Sequence, residues 1–232
     1  MRAMIVNMIF DSESINKARN AFVSKNPCDG KRGPFYNGEQ FWTFDKENLE
    51  MYKNAVWQGY LDVNRTMKGI SKYKKSKNEG AFLKLAEALK VFFTDRDPEF
   101  RHDCWCYAFV NNMKADYGYD VHFGQAQKVV NMAFKYLYCC NGASDYLEKF
   151  RYCEMPIDSI ILRWFFDETG DVYKDWSKFN DKEYKIIANQ IKTICEEELK
   201  NKNQLDLELV IWDTYKKQLA QNPAYHCCKG AF

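Results

Sequence analysis

An all-α globular protein is the fold class this sequence predicts, and three observations carry that expectation. Apolar residues recur at helical spacing in several separate stretches, and strand-like alternation is scarce. Eleven Gly and five Pro in 232 residues are too few for a turn-dense β-sandwich. The length suits one generous domain, or two small ones sharing a core.

Taken in chain order, Met4 to Phe10 fits either a short strand or the lead into a first helix. Pro27 to Gly38 contains Gly30, Gly33, Pro34 and Gly38 and reads as a loop. Lys68 to Gly80 carries Lys68, Lys72, Lys74, Lys75 and Lys77 with almost no apolar content, so an exposed basic connector is expected there. Ala81 to Phe93 is rich in Ala and Leu at helical spacing. Asp97-Pro98-Glu99 reads as a helix start, a capping side chain followed by Pro in the first turn. Val129 to Tyr138 places Val130, Phe134 and Leu137 on one stripe. Asn141 to Pro156 and Thr169 to Asn180 separate further helices expected at Ile160 to Phe166, Tyr184 to Leu199 and Leu207 to Leu219. A single helical domain over residues 1–232 is expected, with residues 68–80 as the best place for a subdomain break.

Composition excludes several classes. Apolar residues at 46% and aromatics at 16% rule out intrinsic disorder, and 34 Lys+Arg against 32 Asp+Glu give no uniform field for a polyanion. Apolar runs such as Val91-Phe92-Phe93 are too short to span a bilayer, and the N-terminus is short of a signal peptide's apolar core. The nine cysteines are odd in number and include the adjacent pairs Cys139-Cys140 and Cys227-Cys228, which suits reduced thiols better than a secreted disulfide framework. An intracellular location, cytoplasmic or nuclear, with no membrane partner is the expectation.

The segment from His122 to Lys135 opens with Gly124, Ala126 and Lys128 ahead of a strongly apolar helix. Small residues at a helix start let another backbone approach, and N-terminal amides suit phosphate oxygens. A Lys against the positive end of the helix dipole is disfavoured in its charged form, which is what nucleophilic Lys chemistry needs. Thirty positions on, Met155-Pro156-Ile157-Asp158-Ser159 places Asp158 to cap the helix that follows and to remain ionised there.

Gly124-Gln125-Ala126-Gln127-Lys128-Val129 followed by Pro156-Ile157-Asp158 resembles the core of the helix-hairpin-helix DNA glycosylases, nearest to the oxoguanine glycosylase/lyase branches, the archaeal one included. In that family a Gly-x-Gly-x-Lys hairpin opens the helix bearing the nucleophile, and a Pro-Val-Asp opens the helix bearing the catalytic acid. The likeness covers residues 117–166, about a fifth of the chain. The second hairpin glycine is Ala126, the Lys-to-Asp interval is long, as in the archaeal branch, and the four-cysteine iron–sulfur signature is absent.

The resemblance implies a helix-hairpin-helix element, with two helical subdomains flanking a cleft as one arrangement. It implies that amides of Gly124, Gln125 and Ala126 grip a phosphate of double-stranded DNA while one nucleotide is flipped into a pocket. Lys128 would attack the sugar and form a Schiff base, Asp158 would stabilise the positive charge developing on it, and no cofactor would be needed. An 8-oxoguanine-class lesion is the substrate it favours, and a monomer the state. Trp42, Phe44, Trp57, Trp105 and Trp212 are the candidates for stacking the base.

Plainer readings stand beside these. A Lys at a helix start is commonly a solvated side chain, and Asp158 serves as an N-cap with no chemistry at all. His102-Asp103-Cys104-Trp105-Cys106 with His226 and Cys227-Cys228 matches no common zinc spacing, so no metal is expected. The rival function is a helical nucleic-acid- or protein-binding protein without catalysis, of a phage or defence type.

Overall fold

The computed structural model describes residues 11–25, 43–96, 100–169, 175–198 and 203–221. These form nine α-helices: α1 Ser12–Lys25, α2 Leu49–Val63, α3 Gly80–Thr94, α4 His102–Tyr117, α5 Phe123–Tyr138, α6 Leu147–Phe150, α7 Ser159–Thr169, α8 Asp181–Glu198 and α9 Gln204–Gln221. Short 3-10 turns lie at Asn64–Thr66, Ile70–Lys72, Ala143–Tyr146 and Trp176–Lys178. Among the described residues there is no strand, only an isolated bridge between Thr43 and Asn141. The chain is all-α. No described helix is long and apolar enough to cross a membrane.

Helix α5 sits at the centre, with all sixteen of its residues buried. Helices α2, α4 and α8 and the turns at 143–146 and 176–178 pack around it. It begins six residues ahead of the apolar stripe from Val129, because His122 is extended (ψ 153°) and its amide donates to the Gln125 side chain at 3.1 Å. Two glycines bring neighbours close. A Cβ on Gly59 of α2 would lie 2.5 Å from the Val129 carbonyl oxygen, so α2 crosses α5 nearly backbone to backbone. A Cβ on Gly124 would lie 1.9 Å from the Trp176 carbonyl oxygen, and the Gly124 amide donates to Phe179 O at 2.9 Å.

Several sequence expectations change. The Lys-rich connector contains the Ile70–Lys72 turn with Ile70 buried, so it is only partly a solvated strip. Lys75 Nζ donates to the carbonyls of Ile70 and Tyr73 at 2.6 and 2.7 Å, and Lys77 pairs with Glu50 and Asn54 of α2. One hydrophobic cluster takes residues from both sides of this connector, from Ile15 to Tyr215. Met4 to Phe10, Pro27 to Gly38 and Asp97-Pro98-Glu99 lie outside the described residues, as do Cys227 and Cys228. The six described cysteines are free thiols, five of them buried.

Gly124→Ala is expected to cost about 2 to 3 kcal/mol of unfolding free energy, since the new methyl meets backbone that cannot rotate away. Denaturant titration checks this, and a loss under about 0.5 kcal/mol would show that the 176–179 segment is not seated on α5.

Candidate active site

Lys128 lies on the second turn of α5 and Asp158 immediately precedes α7. The Lys128 ammonium Nζ donates to Asp158 Oδ2 at 2.6 Å, with the two side chains 7% and 17% exposed. The other carboxylate oxygen, Oδ1, accepts from the amides of Ile160 and Ile161 at 2.9 and 3.1 Å. One acid thus caps a helix with one oxygen and meets an amine with the other. Burial works to raise the Asp158 pKa, but Lys128 and the two amides outweigh it and hold the carboxyl below its ordinary value.

The pair faces a cavity of about 340 Å³, within the range of small-molecule pockets. Three cations (Arg65, Lys128, Lys135) and three acids (Asp62, Asp158, Glu208) line it, together with Phe22, Tyr136, Trp176 and Trp212. Leu61 and Arg65 at its edge are exposed, so the cavity reaches the surface there. Lys135 follows Lys128 by two helical turns on the same face. Its Nζ lies 2.5 Å from Glu208 Oε2, 4.0 Å above the Phe22 ring and 5.2 Å from that of Trp212. Lys135 and Glu208 are 1% and 2% exposed, and burial raises the Glu208 pKa against the pull of Lys135. Asp62, at the end of α2, accepts from Tyr136 Oη at 2.8 Å, and burial raises its pKa too.

The residues expected from sequence divide cleanly. Lys128 and Asp158 meet, and Trp212 lines the same cavity. Phe44, Trp57 and Trp105 belong to the packing instead. Phe44 lies against Tyr146 and Phe93, Trp57 against Tyr60 and Phe82, and Trp105 against Phe100 and Phe92, all with ring centroids within 5.5 Å. Trp42 lies outside the described residues. Gly124, Gln125 and Ala126 are buried, and their amides donate to Phe179 O, His122 O and His122 O at 2.9, 3.0 and 3.1 Å. The phosphate grip implied for those amides is therefore already replaced by protein carbonyls.

Asp62, Arg65, Lys135, Glu208 and Trp176 escaped sequence reasoning. A usable signal existed for two of them: a second Lys seven positions after the first, and a lone acid inside the apolar run Leu207 to Trp212. Among the described residues no group of three or more His, Cys, Asp or Glu could hold a metal, and His226 lies outside them. His102 is buried with its ring between Phe100 and Tyr184, and Cys106 Sγ sits 3.6 Å from its Nε2. Compared with known families, curated proteins and solved structures, the chain gives no significant match.

Because Asp158 has a lowered pKa in the fold, its stabilising effect is complete above the unfolded aspartate value of about 3.9 and is lost as pH falls through the folded value. Asp158→Asn leaves a buried ammonium unpaired, so it is expected to cost about 3 kcal/mol near pH 7. The gap from wild type should hold down to about pH 5 and narrow below about pH 4. Urea titrations across that range check it, and a gap that widens on acidification would contradict the pairing.

Proposed function

We propose that this chain is a DNA N-glycosylase with associated lyase activity, acting on an oxidised base of the 8-oxoguanine class. The observation that carries the reading is the 2.6 Å contact between a buried lysine amine and an ionised aspartate at the wall of an aromatic-lined cavity. The residue resemblance supports the same assignment. A lysine nucleophile must shed a proton, and Asp158 Oδ2 is the acceptor already in place.

In this reading a damaged nucleotide is flipped into the cavity beside Trp212 and Trp176. Lys128 Nζ gives its proton to Asp158 and forms a bond to the sugar C1′. The C1′–N glycosidic bond breaks, its electron pair leaves with the base, and the base regains a proton from the protonated acid. Asp158 also lies close enough to offset the positive charge that develops on the sugar. The C1′–O4′ bond then opens, its electron pair going to the ring oxygen, which takes a proton from the adduct nitrogen and leaves a protonated Schiff base at C1′. A C2′ proton passes to the Asp158 carboxylate, and the freed pair forms C2′=C3′ as the C3′–O bond breaks and the 3′ phosphate leaves. Arg65 lines the cavity and is exposed, and in this reading it would meet a DNA phosphate.

A second reading, a helical nucleic-acid- or protein-binding protein without catalysis, draws on Lys135–Glu208. That pair repeats the buried amine–acid motif on the same helix at 2.5 Å without any helix cap, so α5 can carry such a pair as architecture alone.

Borohydride trapping on a duplex holding 8-oxoguanine or an abasic site separates the two. A covalent protein–DNA adduct is expected from the wild type and none from Lys128→Gln. Asp158→Asn should keep DNA affinity and lower turnover by about 10²- to 10⁴-fold. No adduct from the wild type on either duplex would leave the binding reading in its place, with Lys128→Gln then only weakening salt-sensitive association.

A further inference from the structure

The chain from Cys153 to Asp158 lies between α6 and α7 and belongs to no helix, yet Cys153, Met155, Pro156 and Ile157 are buried. Buried backbone needs partners, and no described strand runs beside it. Two side chains of α5 take that role. Gln127 Nε2 donates to Ile157 O at 2.8 Å, and the Ile157 amide donates back to Gln127 Oε1 at 3.3 Å. The glutamine amide thus pairs with the Ile157 residue much as a neighbouring strand would. One turn further along, Asn131 Nδ2 reaches Met155 O at 3.2 Å, Gln127 Oε1 at 3.2 Å and Tyr184 Oη at 3.0 Å. Both amides are 0% exposed, and Gln127 is anchored to its own helix through Gly124 O at 2.9 Å.

The neighbours of this clamp matter more than its strength. Gln127 precedes Lys128 in the chain, and Ile157 precedes Asp158. Lysine reaches its partner over four flexible torsions, so the helix alone does not fix the amine. Where the acid sits decides where the amine is held. We propose that Gln127 is a positioning residue, whose side-chain amide holds the Ile157 backbone and through it sets the Asp158 carboxylate against the Lys128 amine. The catalytic consequence rests on the glycosylase reading; the registration of the pair does not. Displacement of a reacting group by about 1 Å can cost on the order of 10²-fold in rate, so loosening this clamp falls on the chemical step rather than on DNA binding.

Gln127→Met keeps length and removes every hydrogen bond. Gln204→Met is the comparison, because Gln204 Oε1 holds Met155 N of the same segment at 3.2 Å, away from the acid. Two readouts are taken: the single-turnover rate of borohydride-trapped adduct on abasic DNA, and the rate of reductive methylation of Lys128, followed by mass spectrometry. Gln127→Met is expected to slow trapping at least tenfold with DNA affinity within threefold, and to raise Lys128 methylation several-fold. Gln204→Met should change both by less than threefold. If Gln127→Met does not fold, Gln127→Glu, which keeps the acceptor for the Ile157 amide, is read in the same way. A trapping rate within twofold of wild type, or equal losses in the Gln127 and Gln204 variants, would overturn the proposal. If the wild type forms no adduct, the glycosylase reading fails, and methylation alone decides the clamp: a rise upholds the registration and no change overturns it.

Discussion

Helix α5 is enclosed on every side, yet it carries Gln125, Gln127, Lys128, Asn131 and Lys135. Little water reaches these groups, and each has a partner within the protein. Gln125 Nε2 donates to Thr66 O at 3.0 Å, which ties the turn after α2 to the start of α5. Gln127 and Asn131 serve the backbone before α7, Lys128 meets Asp158, and Lys135 meets Glu208 of α9. These buried polar groups tie the central helix to the segments packed around it.

Stability alone is a poor reason to keep such a stripe. Two charges taken out of water lose hydration that their attraction only partly returns, and apolar residues of the same volume would often serve as well. The two lysine pairs nevertheless differ. Asp158 divides its oxygens between a helix cap and an amine, which holds it ionised beside the cavity. Glu208 has no such cap, its pKa is raised, and its lysine lies over aromatic rings. One carboxyl is thus held below its ordinary pKa and the other pushed above it. That asymmetry is what nucleophilic chemistry at Lys128 would use, with Lys135 and Glu208 shaping the inner end of the cavity.

The all-α class was legible from periodicity, and α3 begins and ends within a residue of the stripe Ala81 to Phe93. That Lys128 and Asp158 act together was implied by the resemblance alone; the residues themselves marked a lysine near one helix start and an aspartate capping another, and the fold brings the two to 2.6 Å. Burial of α5 was not. Its polar positions look like a solvent face, and the partners that take them up, from Thr66 to Met155, Ile157, Asp158 and Glu208, lie far off in the chain where periodicity does not reach. The aromatics were not separable for a related reason: Phe44, Trp57, Trp105 and Trp212 carry no local mark of core or pocket, and only the packing sets Trp212 at the cavity and the other three in the core. Gly124 was read as a place where another backbone comes close, and one does. It is the Trp176 carbonyl, where the resemblance had implied a DNA phosphate.

The central claim is that Lys128 is the reacting amine. Peptide mapping of the borohydride-reduced protein–DNA complex by tandem mass spectrometry tests it most directly. The expected result is a single deoxyribose-derived modification on the peptide containing Lys128, at its ε-nitrogen. A modification at Lys135, at the N-terminal amine or spread over surface lysines would contradict the claim and leave the Lys128–Asp158 contact as a structural ion pair.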